Sequence, residues 1–514
     1  MLAAVRRISS DRVSPYSAQQ TGYPGSTTMD ENDNLQALER AIARDFETLN
    51  LPVANWVPEH TGPDGKPMLD VLVVGGGMCG LVAALHLRRL GVHNIRVIDG
   101  QLAGLEGPWR AFARMETLRS PKHLTGPASG VPNLTFRRWY EAQFGAPAWQ
   151  TLGYIPREMW ADYLNWYGRA TNSHVENGIQ LQRLTEHDGK SGLAWRAELQ
   201  GSEMGAETVF ARMIVLATGR EGLAVPRIPA LFAPLRGQGI DHTGDAPERA
   251  AMKDCDVAVV GLGASAFDYA AEALEGGAHS VRILGRSAVL SRINKAKQVG
   301  YAGFLHGFPL LSDTEKADIF KYIFARGVAP PRGTVQRVMR HDNVELILEA
   351  PISEIVRTRE GRLSLETPKG RFEVDRVVLG TGYEIDLDAP EYLAGIGNHI
   401  RRWRDTLPEP EVYGELQEFP YLGQGFQFLP VASNAPAALQ RLLCFNHAAM
   451  LSLGNLANDI PAVSEGGDRL ARHIAATLYL LDKKIHAGML HAYEDPELLG
   501  DEIPGLTAWW PEVS

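Results

Sequence analysis

Residues 70 to 99, DVLVVGGGMCGLVAALHLRRLGVHNIRVID, limit this chain more than any other stretch. Val71 to Val74 form a short β-branched apolar run, the pattern of a buried parallel strand. Gly75, Gly77 and Gly80 then spell G-x-G-x-x-G, and Leu81 to Leu90 carry apolar residues at helical spacing. Gly91 stops that helix, and Ile95 to Ile98 make a second strand with Asp99 at its tip, 24 residues after Gly75. This is a βαβ unit. Its glycines allow a tight turn, close backbone approach to a pyrophosphate and close packing of helix on strand. The helix N-terminus offers unpaired N–H groups to the phosphates, and an acid such as Asp99 accepts hydrogen bonds from a ribose.

A second unit starts at Asp256, DVAVVGLGASAFDYAAEALEGGAHSVRILGRS. Gly261 and Gly263 occupy the turn with Ser265 beside them, and Ala266 takes the third glycine position, a variant the fingerprint allows. The next strand tip carries Arg286 and Ser287 instead of an acid, with Arg286 25 residues after Gly261. A cation there accepts a 2′-phosphate that an acid would repel, which favours NADPH over NADH. Each unit is followed by an apolar run that ends in T-G: LATG with Thr218 and Gly219, and LGTGY with Gly382. We read this as a weak internal duplication.

At 514 residues the chain is too long for one core. We expect an α/β fold of two Rossmann-like dinucleotide-binding domains, the second, NADPH-binding domain inserted in the first. The expected divisions are a disordered arm over 1–31, an N-terminal helix and linker over 32–66, the first part of the first domain over 67–225, the NADPH domain over 226–375, and the second part of the first domain with C-terminal helices over 376–514. Within these, helices are expected over 34–49, 136–144, 157–170 and 468–481, and strands near 180–184, 193–199 and 207–217. The segments VELILEAPISEIVRT and GRLSLETPKGRFEVDRVVL also read as strands.

A net charge of −10 argues against a nucleic-acid partner. No run of 18 or more apolar residues marks a membrane span. The three cysteines, Cys79, Cys255 and Cys444, are widely spaced and form no C-x-x-C, which fits a reducing, cytoplasmic setting and no metal cluster. A homo-oligomer is left open. After Asp99 the loop GQLAGLEGPWRAFARMETLRSPKHL is rich in Gly, Arg and aromatics, the composition of a ligand-covering loop. In it Trp109 suits a planar ring, while Arg110, Arg114, Lys122 and His123 suit phosphates or substrate.

Two nucleotide units in this order, with VVGGGMCG, GPWR, LATG, VVGLGASA and LGTGY, resemble the class B flavoprotein monooxygenases: the flavin-containing monooxygenases, Baeyer–Villiger enzymes and amine N-hydroxylases. The resemblance implies FAD in the first unit and NADPH in the second. It implies insertion of one atom of O2 into a small-molecule substrate through a C4a-(hydro)peroxyflavin. The stretch FAPLRGQGIDHT, with Phe232, Gly237 and His242, departs in spacing from the F-x-G-x-x-x-H pattern of the ketone oxygenators. The segments METLRSPKHL and PREMWADYLNWYGRA look more like the N-hydroxylases, so N-hydroxylation is the first expectation, with Baeyer–Villiger or urate-type hydroxylation as alternatives. Lys122, His242 and Asn446 are the candidates for substrate, nicotinamide and oxygen-intermediate contacts. An NADPH oxidase, a flavin reductase and a nucleotide-binding redox sensor are the rival readings; a disulfide reductase would need a cysteine pair that the spacing does not provide.

Overall fold

The computed structural model describes residues 30–190, 192–202, 205–245, 249–457, 459–499 and 501–505. Residues 1–29, nearly all of the expected arm, lie outside the described residues, and 30 and 31 already belong to the helix Asp30–Thr48.

The first βαβ unit forms as its pattern requires. Strand Leu69–Val74 is buried along almost its whole length, because apolar side chains on both of its faces are covered. Helix Met78–Arg89 follows, and strand Ile95–Asp99 pairs in parallel with the first, Val71 opposite Ile95 and Val74 opposite Ile98. On the other side of the first strand lies Gly205–Leu216, parallel over Ala211 to Leu216. The earlier half of that long strand pairs antiparallel with Ala194–Gly201, which pairs in turn with Ile179–His187. Leu442–Cys444 returns from far along the chain to pair with Ile214 to Leu216. The first sheet thus has seven strands among the described residues and is built from both ends of the sequence.

The second sheet has five strands, all parallel, in the order Val344–Ile347, Ser280–Leu284, Asp256–Val260, Arg376–Leu379, Ile240–His242. It is inserted in the first unit through a two-stranded connector, Ala224–Pro226 against Tyr383–Ile385. The boundary expected after residue 375 is corrected by this pairing. Arg376–Leu379 resembles a return to the first unit, but it lies beside Asp256–Val260, and the chain crosses back only at Tyr383–Ile385. The boundary expected at 225/226 falls inside the connector.

Other elements differ in detail. The helix expected to end at 144 runs as Phe136–Thr151, bent at Gly145, where φ is +80°. VELILEAPISEIVRT splits at Pro351 into Val344–Ile347 and Glu354–Arg357, which lie in different sheets. In the next segment, Leu363–Thr367 and Gly370–Val374 form a hairpin in a small antiparallel sheet. The helix expected at 468–481 is Val463–Leu481, starting five residues earlier, and a further helix, Lys483–His491, follows it. Gly466 and Gly467 discourage a helix on propensity, yet a Cβ on Gly466 would lie 2.1 Å from the Leu456 carbonyl oxygen and one on Gly467 2.5 Å from Val82. Gly467 lets this helix lie against Met78–Arg89, and Gly466 lets it lie against the backbone at Leu456. No described helix is long and apolar enough to cross a membrane.

Candidate active site: two glycine turns and the junction between them

The two glycine turns are built alike. Gly75 N–H donates to Ile98 O at 2.7 Å, and Gly261 N–H to Leu284 O at 2.9 Å. Ala217 N–H donates to Val74 O, and Gly380 N–H to Val260 O, both at 2.8 Å. Gly75 has φ +106° and Gly261 φ +130°, and a Cβ on either would press to 2.4 or 2.5 Å from the carbonyl oxygen of Ala217 or Gly380. Here glycine is demanded by conformation and by space. At the third position the units diverge. A Cβ on Gly80 would lie 1.9 Å from Gly75 O, whereas the second unit tolerates Ala266 because its neighbour is Gly380, whose own Cβ would meet the Ala266 Cβ at 2.6 Å.

The space in front of each turn is free for a ligand. A Cβ on Gly77 would find nothing nearer than Gly107 at 3.7 Å, and those on Gly263 and Gly382 nothing within 4 Å. Gly77 and Gly263 cap their helices with no side-chain hydrogen bond, so the first N–H groups stay available to phosphate oxygens. A cavity of about 440 Å³ opens at the first turn and is lined by Gly76, Gly77, Glu106, Trp109, Asn165 and Asn177 among others. The residues fit a dinucleotide in each unit.

Asp99 is 9% exposed, and both of its oxygens are engaged by backbone: Gly76 N–H at 2.7 Å and Gln101 N–H at 2.8 Å. It braces the turn from behind. The acid on the cavity wall is Glu106, which accepts from Asn177 Nδ2 at 2.7 Å and from Gly104 N–H at 2.8 Å. Glu106 was legible in the sequence as the one acid between Asp99 and Glu116; Asn165 and Asn177 carry no such signal. Trp109 stands edge-on to Trp160, with ring centroids 6.2 Å apart, and its carbonyl accepts from Arg157 at 2.6 Å. Its neighbour Arg110 is ion-paired with Asp162.

Lys122 lies elsewhere. Its ammonium donates to the carbonyls of Trp149 at 2.5 Å, Gln150 at 3.5 Å and Leu152, closing the end of helix Phe136–Thr151. It also sits 4.8 Å over the Trp149 ring. His123 stands edge-on to the same ring. Arg114 offers its carbonyl to Arg337 at 3.2 Å, while its Nε is buried without a hydrogen-bond partner.

His242 and Asn446 flank the junction of the two units. His242 ends the edge strand Ile240–His242; its Nε2 meets Gly382 O at 2.9 Å, and its Nδ1 accepts from Gly244 N–H at 3.1 Å. Nδ1 therefore carries no proton, and Nε2–H donates. Burial pushes the pKa of this imidazole down. Asn446 Nδ2 donates to Leu216 O and Thr218 Oγ1, both at 3.2 Å, and its Oδ1 accepts from Ala448 N–H at 3.0 Å. The structure thus pairs His242 with Gly382 and Asn446 with Thr218. Gly219, at φ +72°, makes the turn directly after Thr218.

Beside that turn is a group of titratable side chains with no motif to announce them. Burial and the nearby charge of Arg220 push His447 down to about 3. Burial raises the carboxyls of Glu221 and Asp459, while the Arg220 charge draws both down. Glu221 is exposed, and Asp459 and His447 are half-buried. Arg286 and Ser265 in the second unit are exposed, and the Ser287 hydroxyl accepts from Val289 N–H at 3.2 Å.

A chain with two such turns, one unit inserted in the other and an open junction between them, is a flavoprotein of the two-dinucleotide type. The family model for L-lysine 6-monooxygenase/L-ornithine 5-monooxygenase matches residues 148–302, and an FAD-NAD(P)-binding model matches 72–221. The FAD-dependent urate hydroxylase of Xanthomonas campestris pv. campestris is 36% identical over 482 residues, 93% of this chain and 98% of the relative. Among solved structures, ornithine hydroxylase from Pseudomonas aeruginosa aligns with TM-score 0.61 at 16% identity, over 80% of this chain and all of that one. L-lysine 6-monooxygenase from Pseudomonas syringae aligns with TM-score 0.60 at 18% identity, over 80% of this chain and 99% of that one. The chain belongs to the class B flavoprotein monooxygenases and is an FAD- and NADPH-dependent monooxygenase.

Proposed function

We propose that the substrate is of the urate class: a planar, electron-rich nitrogen heterocycle that carries negative charge near neutral pH. The observation that carries this reading is the 36% identity to a urate hydroxylase along 98% of that protein's length, against 16–18% for the amine hydroxylases of like fold. Arg220, whose charge reaches the neutral, half-buried His447, supplies a cation for an anionic ring. Lys122 is spent on helix carbonyls, so it does not serve as the amine hydroxylases' substrate lysine in this arrangement.

FAD, when bound, would supply the oxygen chemistry: two electrons from NADPH, with protons from solvent, would let one atom of O2 enter the substrate and the other leave as water. The protein's part is to hold and exclude. Gly75, Gly77 and Gly80 would cradle the FAD pyrophosphate, with Glu106, Asn177 and Trp109 on the wall of the same cavity. Gly261, Gly263 and Ser265 would receive the NADPH pyrophosphate, and Arg286 with Ser287 its 2′-phosphate. Gly219 and Gly382 keep side chains out of the junction, and the Thr218 hydroxyl is held by Asn446 Nδ2. Asn446 and His242 fix those loops through the hydrogen bonds above. Exclusion of water from the junction would keep activated oxygen from being lost as peroxide.

The test is NADPH oxidation with the holoenzyme under ¹⁸O2, with peroxide measured in parallel. Urate should accelerate NADPH oxidation, suppress peroxide release and acquire one ¹⁸O atom. N-hydroxylation of a primary amine is the second reading, favoured by the family match over 148–302. It replaces the first if ornithine, lysine or a diamine couples oxygen use to product and urate does not.

A further inference from the structure

Loop 112–119 touches both units at once. On one side it is fastened to the FAD unit. Arg157 Nη1 donates to the carbonyls of Trp109 at 2.6 Å and Ala113 at 2.7 Å, Arg157 N–H to Glu116 O at 3.0 Å, and Leu118 N–H to Ile155 O at 2.8 Å. On the other side it grips helix Ala264–Glu275, which begins at the second glycine turn, and the neighbouring helix Arg332–Met339. Arg119 Nη2 donates to Asp268 Oδ2 at 2.8 Å, and Thr334 Oγ1 holds the other oxygen at 3.0 Å. Arg337, 5% exposed, donates to Glu272 at 2.8 Å and to Glu275 at 2.7 Å, lies 3.6 Å from Glu116 and reaches the Arg114 carbonyl at 3.2 Å. Asp268 is 4% exposed, and burial raises its pKa against the pull of Arg119.

We propose that Arg119 and Asp268 are positioning residues for flavin reduction. Their ion pair, backed by Arg337, fixes the helix that carries the NADPH turn against a loop whose other end carries Trp109 on the FAD cavity. A helix and the turn at its N-terminus move as one body, so any play at Asp268 becomes play in the distance between the two cofactors. Hydride transfer is steep in that distance. Arg119 is 40% exposed, but Arg337, Glu272 and Glu275 are largely taken out of water beside the pair, and such a buried ionic cluster stabilises little relative to apolar residues of the same volume. A pair that sets register between two bodies has a reason to be ionic.

The inference rests on FAD and NADPH dependence and not on the urate reading; its test contains no substrate, so either can fail alone. Holoenzymes carrying Arg119→Gln, Asp268→Asn and both changes are reduced anaerobically by NADPH and, separately, by dithionite in stopped flow. Each single variant should slow reduction by NADPH by about tenfold to a hundredfold, the loss expected when reacting groups shift by about an ångström. The double variant should be no slower than the slower single. Reduction by dithionite and FAD content should hold, Arg119→Lys should recover most of the rate, and hydrogen exchange over 112–119 and 264–275 should rise. NADPH reduction within twofold of wild type in both singles overturns the proposal. So does slowing that is equal for dithionite, or multiplicative losses in the double variant.

Discussion

At Gly77 a methyl group would meet Gly107 at 3.7 Å, ordinary contact, whereas at Gly80 it would lie 1.9 Å from a backbone oxygen. The two glycines therefore fail differently. Gly77→Ala should fold with a melting temperature near wild type yet purify with much less flavin, because the added carbon occupies space that a pyrophosphate needs. Absorbance of bound flavin relative to protein, and re-binding of FAD to apoprotein, measure this. Gly80→Ala should lose the fold of the first unit. Retention of full flavin by Gly77→Ala would place the pyrophosphate elsewhere. The same scale explains Ala266: the third glycine is dispensable in the second unit because Gly380 has already made the room.

Elements are held by residues that looked catalytic from the sequence alone. Lys122 spends its ammonium on the last carbonyls of helix Phe136–Thr151, which carry the negative end of the helix dipole. Lys122→Met should cost about 1–2 kcal/mol of stability, the range for losing charge-assisted hydrogen bonds at a helix end. It should leave KM for the substrate unchanged; thermal unfolding with steady-state kinetics separates this from a substrate role, in which KM rises and the melting temperature stays. Asp99 is a comparable case. It stands where a ribose acceptor is expected, but its oxygens are given to Gly76 and Gln101, and Glu106 is the acid presented to the cavity.

The whole molecule depends on bringing its ends together. Helix Val463–Leu481 lies on Met78–Arg89 through Gly467 and the buried His86, whose Nε2 meets Ser129 Oγ at 2.9 Å. Arg212 donates to Asp70 at 3.2 Å and Asp482 at 2.8 Å, and Asp482 also meets His60, so first strand, long strand and C-terminal helix share one buried ionic knot. Burial pushes His86 from 6.5 down to about 4. The unfolded chain thus binds the proton more readily, and the stability tied to a neutral His86 is complete above about 6.5 and lost as pH falls towards 4. The shift corresponds to about 3 kcal/mol. His86→Gln cannot titrate, so wild type should lose more melting temperature than the variant between about pH 7 and about pH 4.5. Parallel curves over that interval would remove His86 as the cause.

Read as sequence, the chain determined its two nucleotide turns, their order and the pairing of each with a later T-G, because these follow from local requirements: positive φ, no room for a Cβ, an apolar run long enough to be a strand. The insertion of one unit in the other was legible for the same reason. What only the tertiary structure decided depends on which distant segments meet. Lys122 is a cap because the end of helix Phe136–Thr151 arrives beside it. Arg376–Leu379 belongs to the second sheet because it finds Asp256–Val260. The charge of Arg220 reaches both His447 and Asp459 although 239 residues separate the first from the last. Loop 112–119 joins the units through Asp268 and Arg337, side chains that carry no motif. Such contacts are set by the packing of whole sheets, and no spacing along the chain encodes them.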